Sequence, residues 1–275
     1  MKKFLALVLA ALMVFAFVAC NGTGKDNNGA SDASNASNAS NTSDTTEKAT
    51  LVMATNAAFP PYEYKEGESF AGIDVEIAGK IAEKLGMTLE IKDVEFGSII
   101  GGVQTGKFDI GMAGMTVTDE RLKSVNFSDS YATGIQVVIV KADSAIKSLD
   151  DLKGDGSMKF GVQQDTTGDI YASDTIENGG YGKDNVVRYK TGADAVQALK
   201  TGKVDAVIID NEPAKSFVKA NEGLSILDGD WVKENYAIAI AKENTELLEK
   251  VNGALKELIA DGTVKAIIDK YIPAE

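Results

Sequence analysis

The chain contains the same short phrase twice, and this repeat limits the folds that it can adopt. TGK followed by an apolar residue and an aspartate occurs at 105–109 and again, ninety-six positions later, at 201–205. Each copy lies in a round that alternates strand and helix three times, as judged from the spacing of its apolar residues. Such alternation indicates parallel βαβ units with right-handed crossovers. Two rounds therefore predict an α/β chain with two lobes.

The two rounds have matching elements. The first predicts strands at 50–56, 89–94 and 108–114 and helices at 74–87, 96–106 and 118–125. The second predicts strands at 159–164, 186–189 and 204–210 and helices at 166–176, 192–202 and 211–221. Thr118 is the expected N-cap of one helix and Gly202 the expected C-cap of another.

Two long apolar strands, 135–142 and 236–242, fall outside both rounds. We expect these strands to cross between the lobes. Lobe 1 then comprises 50–134 and 233–275, and lobe 2 comprises 135–232. The chain finishes lobe 1 with helices at 245–260 and 264–271.

The first 49 residues predict targeting rather than fold. Two lysines precede an apolar run that ends at Ala19, which indicates a signal peptide at 1–19. The run closes with FVAC, so the single cysteine, Cys20, stands where a lipoprotein lipobox has its acylated cysteine, although Phe17 replaces the usual leucine. A plain signal peptide that contains a cysteine is the alternative. Residues 20–49 would then be a lipidated cysteine and a flexible tether, because they lack the large apolar residues that a core needs.

Composition excludes several classes of function. The formal net charge is −13, which opposes binding to nucleic acid and to anionic lipid. The chain has no histidine, so a histidine base, a Ser–His pair and a histidine-rich zinc site are excluded. Neither GxxxxGK[ST] nor GxGxxG occurs. We therefore expect no metal and no cofactor.

Four segments follow strands at the edge where ligands of open α/β sheets bind: 56–59, 113–116, 163–168 and 210–212. Asp210 stands at the tip of its apolar strand, where a carboxylate can bind a cation such as an ammonium group. Its alternative role is to cap the helix that begins at the next residue.

Arg121 lies in the first turn of a short predicted helix, where the helix dipole disfavours a cation. An anionic ligand held by the guanidinium would compensate, and so would the neighbouring Asp119 and Glu120. Thr166 and Thr167 open another helix, whose free N–H groups can bind an anion or be capped in the ordinary way.

Phe59 and Phe96 complete the candidate site. They stand at a strand exit and a helix start, where they would either wall an aliphatic ligand stem or pack in the core. Together the candidates describe a cleft with one cation, one anion and aromatic walls. Such a cleft complements a zwitterion, with its carboxylate on Arg121 and its ammonium group on Asp210.

Several stretches resemble one known family: ATNAAFPPYEY (54–64), FAGIDVEIA (70–78), MAGMTVTDERLKSVNFSDSY (112–131), GVQQDTTGD (161–169) and VDAVIIDNEPA (204–214). On these stretches the chain resembles, over 50–273, the extracellular solute-binding proteins of polar amino-acid ABC transporters, such as the glutamine-, histidine- and arginine-binding proteins. The resemblance implies the two-lobed periplasmic-binding-protein fold of type II, with two crossing hinge strands. It also implies closure around a ligand in the cleft and no catalytic residues.

The resemblance further implies which residues bind the ligand. Arg121, Thr116 and the Thr167 backbone match the positions that hold the ligand carboxylate, and Asp210 and the Gly114 carbonyl match the ammonium site. The full predicted set is Asn56, Phe59, Phe96, Ala113, Gly114, Thr116, Arg121, Gln163, Thr166, Thr167 and Asp210.

Three positions depart from the family pattern and leave the ligand side chain open. Asn56 stands where several relatives have aspartate, Ile209 replaces a polar residue, and Asp165 stands where glycine or alanine is common. Polar and cationic L-amino acids both fit. An acidic rim of Glu63, Asp165 and Glu212 weakly favours arginine or another polar side chain.

The resemblance predicts a monomeric receptor, anchored through Cys20 to the outer face of the cell membrane. It would capture a free L-amino acid and deliver it to a membrane permease with an ATPase subunit. An alternative is an enzyme of the same fold, a dehydratase of prephenate-like acids, with a carboxyl group such as Glu63 or Asp165 as its general acid. A second alternative is an amino-acid sensor.

Overall fold

A computed structural model describes residues 49–229 and 231–273, so the predicted signal peptide, Cys20 and nearly all of the tether lie outside the described residues. The strands are β1 (Thr50–Thr55), β2 (Ala58–Phe59), β3 (Glu63–Glu66), β4 (Ser69–Ala71), β5 (Thr88–Asp93), β6 (Ile110–Gly111), β7 (Val125–Phe127), β8 (Ala132–Lys141), β9 (Phe160–Gln163), β10 (Val186–Tyr189), β11 (Ala206–Asp210), β12 (Leu224–Ile226), β13 (Val232–Tyr236) and β14 (Ala239–Ala241). The helices are α1 (Ile73–Lys84), α2 (Ile99–Gln104), α3 (Asp119–Leu122), α4 (Thr167–Ser173), α5 (Gly192–Lys200), α6 (Asn211–Ala220), α7 (Thr245–Ala260) and α8 (Thr263–Tyr271). None of these helices is long and apolar enough to cross a membrane.

The first large sheet has the strand order β5-β1-β6-β14-β7. β1 pairs in parallel with both β5 and β6, as the alternation of strands and helices predicts. β14 returns late in the chain and pairs antiparallel with β6 and β7. Helices α1, α7 and α8 pack together on one side of this sheet, and α2 packs against β1, β6 and β14.

The second large sheet has the order β10-β9-β11-β8-β12, and β13 also pairs with β8. β9 is parallel to β10 and β11, whereas β8 is antiparallel to β11, β12 and β13. The fold is thus two-lobed, with one parallel-centred sheet in each lobe. β8 and β13 are the paired strands through which the chain leaves lobe 1 and returns to it. The predicted lobe limits, at 134/135 and 232/233, fall within these two strands and remain a prediction.

The structure corrects four of the predicted elements. The strand predicted at 236–242 is two strands, β13 and β14, because its residues pair first with β8 and then with β6. The helix predicted at 118–125 ends at Leu122, since the chain pairs again as β7. The strand predicted at 108–114 is reduced to Ile110–Gly111. Thr201 is the C-cap of α5, and Gly202, predicted as the cap, follows it with a left-handed φ of 72°.

A small antiparallel sheet, β2-β3-β4, was not predicted. Its strands have two to four residues, which is too short for an apolar alternation to show in the sequence. The cis Pro60–Pro61 bond lies in the turn between β2 and β3. The sheet matters for the site because its first two strands contain Phe59 and Glu63.

The lobe 2 core is built around Phe160 of β9, which is fully buried. Its ring stacks on that of Tyr181, with centroids 4.0 Å apart and an interplanar angle of 15°. Val138 of β8 and Ile208 of β11 pack in the same cluster. Because the large Phe160 ring is buried and closely packed, it contributes strongly to the stability of the second sheet.

We expect Phe160→Ala to lower the free energy of unfolding by about 3–5 kcal/mol, because the truncated side chain leaves a cavity that the stacked Tyr181 cannot fill. Phe70→Ala is the matched control, since Phe70 is only half-buried on β4 and should cost about 1 kcal/mol or less. Urea denaturation measures both variants. Equal losses for the two variants would contradict this description of the core.

Candidate functional site

A small, partly enclosed cavity lies between the loops that follow the strands of the two large sheets. Its walls contain all eleven residues predicted from the sequence and one that was not in that set, Glu63. The wall residues are Asn56, Phe59, Glu63, Phe96, Ala113, Gly114, Thr116, Arg121, Gln163, Thr166, Thr167 and Asp210.

Parallel pairing explains why these residues converge. In lobe 1, β1 ends just before Asn56 and β6 ends before Ala113. In lobe 2, β9 ends at Gln163 and β11 ends at Asp210. Since parallel strands have their carboxyl ends at one edge of a sheet, each lobe presents its polar loops on one side, toward the cavity.

Arg121 is the cation of the cavity wall and is only 9% exposed. Its Nη1 donates to the Thr116 carbonyl at 2.7 Å, and its Nη2 donates to the Asp165 carbonyl at 3.2 Å. The guanidinium also lies 5.2 Å from the centre of the Phe96 ring. Burial lowers the pKa of Arg121, and the charges of Glu234 and Asp210 oppose that effect. The group remains a guanidinium cation because its unperturbed pKa is so high.

The local explanation for Arg121, compensation by acidic neighbours, is not supported by the geometry. Glu120 instead pairs with Lys123 on the surface. Among the described residues no carboxylate lies within ion-pair distance of the Arg121 guanidinium. Its own N–H is capped by the Thr118 side chain at 3.2 Å, which confirms Thr118 as an N-cap. A buried cation without an ion-pair partner favours an anionic ligand at this position.

Asp210 is the counterpart of Arg121 on the other lobe, and it is 7% exposed. Its side chain makes no capping hydrogen bond to α6, so the helix-cap alternative is wrong for the side chain. Instead its Oδ1 accepts a hydrogen bond from the Tyr236 hydroxyl. Burial, reinforced by the charge of Glu234, raises the pKa of Asp210 to about 7. An ammonium group beside it would stabilise the ionised form.

A buried polar network lies behind the two charged groups. Glu234, on β13, accepts hydrogen bonds from Thr116 at 3.1 Å and from Gln136 of β8 at 3.0 Å. Burial and the Glu234 charge raise the pKa of Tyr171 to about 12. The paired strands β8 and β13 thus place an additional carboxylate close to the site. The sequence patterns did not identify Glu234. It lies just before the strand predicted at 236–242 and therefore fell in no predicted element.

Phe59 and Phe96 line the cavity and also pack against the core clusters of lobe 1, so both sequence alternatives hold for these rings. Gly114 has a left-handed φ of 51°, and a Cβ at this position would lie 2.9 Å from Cε1 of Phe59. Its N–H donates to Oδ2 of Asp74 at 2.8 Å. The glycine therefore lets the Phe59 ring lie against the backbone, and its N–H is held by a buried carboxylate.

Three contacts join the lobes around the cavity. Gln163 donates to Oδ1 of Asn56 at 2.9 Å, Arg121 donates to the Asp165 carbonyl, and Lys190 pairs with Glu95 at 2.6 Å. The first two contacts are buried or partly buried and the third is exposed. These contacts close the cleft.

Asp165 has a left-handed φ of 65°, which glycine adopts more easily than other residues. The Asp165 N–H donates to Asp169 at 3.1 Å, and a Cβ at Gly97 of the opposite lobe would lie 2.1 Å from Asp165 Oδ2. The two lobes therefore approach each other closely through an aspartate and a glycine.

The acidic rim expected from the sequence does not form. Asp165 lines a separate outer groove beside the cleft, and Glu212 pairs with Lys215 at 2.9 Å. Glu63 is 1% exposed and lies inside the cavity wall. The sequence offered no signal for this burial, because Glu63 is flanked by two tyrosines on a very short strand.

The fold and the site define a class: a two-lobed α/β protein whose cavity wall contains a buried guanidinium from one lobe and a buried aspartate from the other. The chain belongs to family 3 of the bacterial extracellular solute-binding proteins, whose model matches residues 51–274. The predicted family and the type II periplasmic-binding-protein fold are thereby confirmed.

Three known proteins illustrate the similarity. The arginine-binding extracellular protein ArtP of Bacillus subtilis is 34% identical over 278 residues, with all of both chains covered. The structure of an ancestral arginine-binding protein bound to glutamine is 40% identical, with a TM-score of 0.75, covering 82% of this chain and 99% of that one. An ancestral amino-acid-binding protein described as a precursor of cyclohexadienyl dehydratase is 34% identical, with a TM-score of 0.73, covering 81% of this chain and 95% of that one.

The pKa of Asp210 predicts a pH-dependent stability for the ligand-free protein. A carboxyl group whose folded pKa is about 7, against 3.8 when unperturbed, favours folding in its protonated form. Its contribution is fully present below about pH 4 and is lost as the pH rises through 7. Asp210→Asn should therefore raise the free energy of unfolding at pH 8 by up to about 4 kcal/mol, and by close to nothing at pH 4.

Urea denaturation at the two pH values measures the difference. Asp150→Asn, at an exposed position, is the control and should change stability by less than about 0.5 kcal/mol at both. A gain for Asp210→Asn that is the same at pH 4 and pH 8 would show that burial does not perturb this carboxyl group.

Proposed function

We propose that the protein captures one polar or cationic L-amino acid between its lobes and delivers it to a membrane permease. The observation that carries the proposal is the pair of buried, opposite charges on facing lobes, Arg121 and Asp210, in the wall of one cavity. A zwitterion satisfies both charges at once and joins the lobes as it does so. Charge-assisted hydrogen bonds in a closed site are strong enough to support micromolar binding, about −8 kcal/mol.

Within this proposal the α-carboxylate of the ligand binds to Arg121, to Thr116 and to the backbone of Thr167, at the start of α4. The α-ammonium group binds to Asp210 and to the Gly114 carbonyl. Thr167 is 4% exposed and begins a helix, which supports a role for its N–H in binding an anion. Thr166 caps that helix by accepting the Asp169 N–H at 3.3 Å, so its part in the wall is structural support.

The side chain of the ligand would meet the amide pair Asn56 and Gln163 and the two phenylalanine rings. The Nδ2 of Asn56 is held by the Val94 carbonyl at 2.8 Å, which fixes the amide and turns its Oδ1 toward Gln163. Two amides provide donors and acceptors but no net charge. This composition supports a polar side chain, and a cationic one such as that of arginine would be bound there without a direct carboxylate partner.

We further propose that the protein is a monomer, anchored by lipid at Cys20 to the outer face of the cell membrane, where residues 20–49 act as a tether. Support comes from the sequence alone, through the apolar run and the FVAC phrase. The partners proposed on family grounds are the permease and its ATPase subunit. A sensor that docks on a receptor instead of a permease would use the same amino-acid site.

The second candidate function is a dehydratase, because one similar structure is described as the precursor of such an enzyme. Glu63 is the residue that favours it, since it is a buried carboxyl group in the cavity wall and burial raises its pKa well above the usual range. The described site does not otherwise distinguish a general acid from a ligand contact. Recovery of the amino acid unchanged after incubation supports the receptor, and its loss supports the enzyme.

The test is a thermal-shift panel of the twenty standard amino acids with ornithine, citrulline and cystine, on protein stripped of co-purified ligand by unfolding and refolding. We expect at least one L-amino acid to raise the melting temperature by several degrees, because a ligand that binds only the folded state stabilises it. A panel without any such shift would overturn the proposal.

We expect Arg121→Ala to lower the affinity for the amino acid that the panel selects by at least about 100-fold, because the ligand carboxylate would be buried without its cation. Lys250→Ala is the matched control: Lys250 forms an exposed ion pair with Glu246 on α7, outside the cavity wall, and should leave affinity within about threefold. Isothermal calorimetry measures both variants. Retention of wild-type affinity by Arg121→Ala would remove Arg121 from the site.

The amide pair yields a separate prediction about selectivity. Asn56→Asp places a carboxylate beside Gln163, where a cationic side chain would meet it, and should raise the ratio of L-arginine to L-glutamine affinity by about tenfold or more. Asn126→Asp, on β7 and outside the cavity wall, should leave the ratio unchanged. An unchanged ratio in Asn56→Asp would show that the ligand side chain does not reach this pair.

A further inference from the structure

Glu63 is a buried carboxyl group of the cavity wall to which amino-acid capture, as proposed, assigns no role. It begins β3, opposite Phe59 in the small sheet, and is 1% exposed. Asp74 of α1 lies beneath it and is fully buried. The Asp74 Oδ2 already accepts the Gly114 N–H, whose carbonyl belongs to the proposed ammonium site. Glu63 therefore lines the cavity near the proposed ammonium site, and Asp74 lies behind the wall, hydrogen-bonded to Gly114.

Each of these carboxyl groups has an oxygen without a partner. Oε2 of Glu63 and Oδ1 of Asp74 are both buried and accept no hydrogen bond from the described residues. The two side chains nevertheless lie within hydrogen-bonding reach of each other. One added proton would turn one oxygen into a donor and the other into its acceptor, so a single proton satisfies both atoms. Two ionised carboxylates at this separation would repel each other in a dry site.

The groups that face Glu63 offer no other neutralising charge. They are Asp74 from α1, Asp210 from β11, and the hydroxyl groups of Tyr62 and Tyr131. Burial, followed by the charge of Asp74, raises the pKa of Glu63 well above its usual range. Burial raises the pKa of Asp74 to about 7, and the hydrogen bond from the Gly114 N–H limits that rise. Because this N–H already stabilises the ionised form of Asp74, we place the shared proton on Glu63, with Asp74 as acceptor.

We propose that Glu63 is a further ligand-contacting residue, which holds a proton shared with Asp74 in the empty cavity and releases it when the ammonium group of an amino acid binds. The proposal rests on the proposed function, because it requires an ammonium group beside Asp210. The step balances in charge: the carboxylic acid of Glu63 becomes a carboxylate, the proton passes to solvent, and no bond of the amino acid is made or broken. The incoming cation replaces the proton as the group that neutralises the acid pair.

The linkage has a definite sign. A cation beside Glu63 lowers its pKa in the complex, so the complex binds fewer protons than the free components do. Affinity must then rise with pH until Glu63 is ionised in the free protein as well. Asp210 also makes the affinity rise with pH. The contribution of Glu63 is the part of this rise that is lost when Glu63 is replaced by an uncharged isostere.

The experiment compares wild type with Glu63→Gln, which keeps the size of the side chain and still donates to Asp74. L-Glutamine is the probe, replaced by L-arginine if the panel ranks arginine higher. Calorimetry in phosphate and in Tris buffer counts the protons released, and titrations from pH 5.5 to 8 give the affinity profile. We expect the wild-type affinity to rise at least tenfold over this range, and the rise in Glu63→Gln to be at least threefold smaller, with fewer protons released.

An infrared measurement on ligand-free protein tests the proton itself. The carbonyl stretch of a protonated carboxyl group is separate from that of a carboxylate, and at pH 7 this absorbance should be larger in wild type than in Glu63→Gln, whose remaining absorbance belongs to Asp210. The absorbance should diminish when the probe amino acid is added. Glu246→Gln, an exposed carboxylate paired with Lys250, is the control and should leave the absorbance and the pH profile as in wild type.

The outcomes are distinct. If no amino acid binds, the proposed function fails and this inference fails with it. If one binds with the same proton release and the same pH profile in wild type and Glu63→Gln, Glu63 has only a structural role and this inference alone is overturned. If Glu63→Gln does not fold, Asp74→Asn takes its place, since its amide oxygen still accepts the Gly114 N–H; an unchanged pH profile in that variant is the overturning result.

Discussion

The parallel pairing of β1 with β6 and of β9 with β11 is the constraint on which the rest of the structure depends. Strands that run in the same direction end at the same edge, and each needs a helix to bring the chain back. The loops that follow the strands are therefore gathered on one side of each lobe. Once β8 and β13 join the lobes, those two sides face each other. The cavity is a consequence of strand direction before any particular residue contributes to it.

An imbalance of buried charge is the second determinant. Arg121 is the guanidinium of the wall, whereas Glu63, Asp74, Asp210 and Glu234 are buried carboxyl groups in or directly behind it. Burying a charge without a partner costs free energy. These carboxyl groups are therefore protonated or accept hydrogen bonds from hydroxyl groups and amides. The raised pKa of Asp210 and of Glu63 follows from that environment. A site of this kind is stabilised by a ligand that brings positive charge to the carboxyl groups and negative charge to the guanidinium.

The paired strands β8 and β13 link this electrostatic arrangement to closure. Gln136 of β8 and Glu234 of β13 are hydrogen-bonded to each other across the pair, and Tyr236, at the end of β13, donates to Asp210. A Cβ at Gly134 would lie 2.2 Å from the Tyr236 hydroxyl, so the absence of a side chain there lets the tyrosine reach the site. The strands that connect the lobes thus also contact the groups proposed to bind the ligand. Relative movement of the lobes would act directly on the environment of Asp210.

The sequence by itself determined the α/β class, the two rounds, the identity of the main helices and the set of loops around the cavity. It could do so because these depend on local apolar periodicity, on helix signals and on the rule that relates strand ends to ligand sites. Helix α7, for example, has the predicted bounds. The sequence left open whether Asp210 caps a helix, and whether Phe59 belongs to the core, because either role uses the same residue at the same position.

Only the tertiary structure decided these points. The Asp210 side chain does not cap α6. It accepts a hydrogen bond instead from the hydroxyl group of Tyr236, which lies twenty-six residues later in the chain. Glu63 is a buried part of the cavity wall rather than a rim residue, because α1 brings Asp74 beneath it. The region read as one strand at 236–242 divides because its two parts pair with different sheets. Each of these outcomes depends on a contact between residues far apart in the chain, which local patterns do not encode.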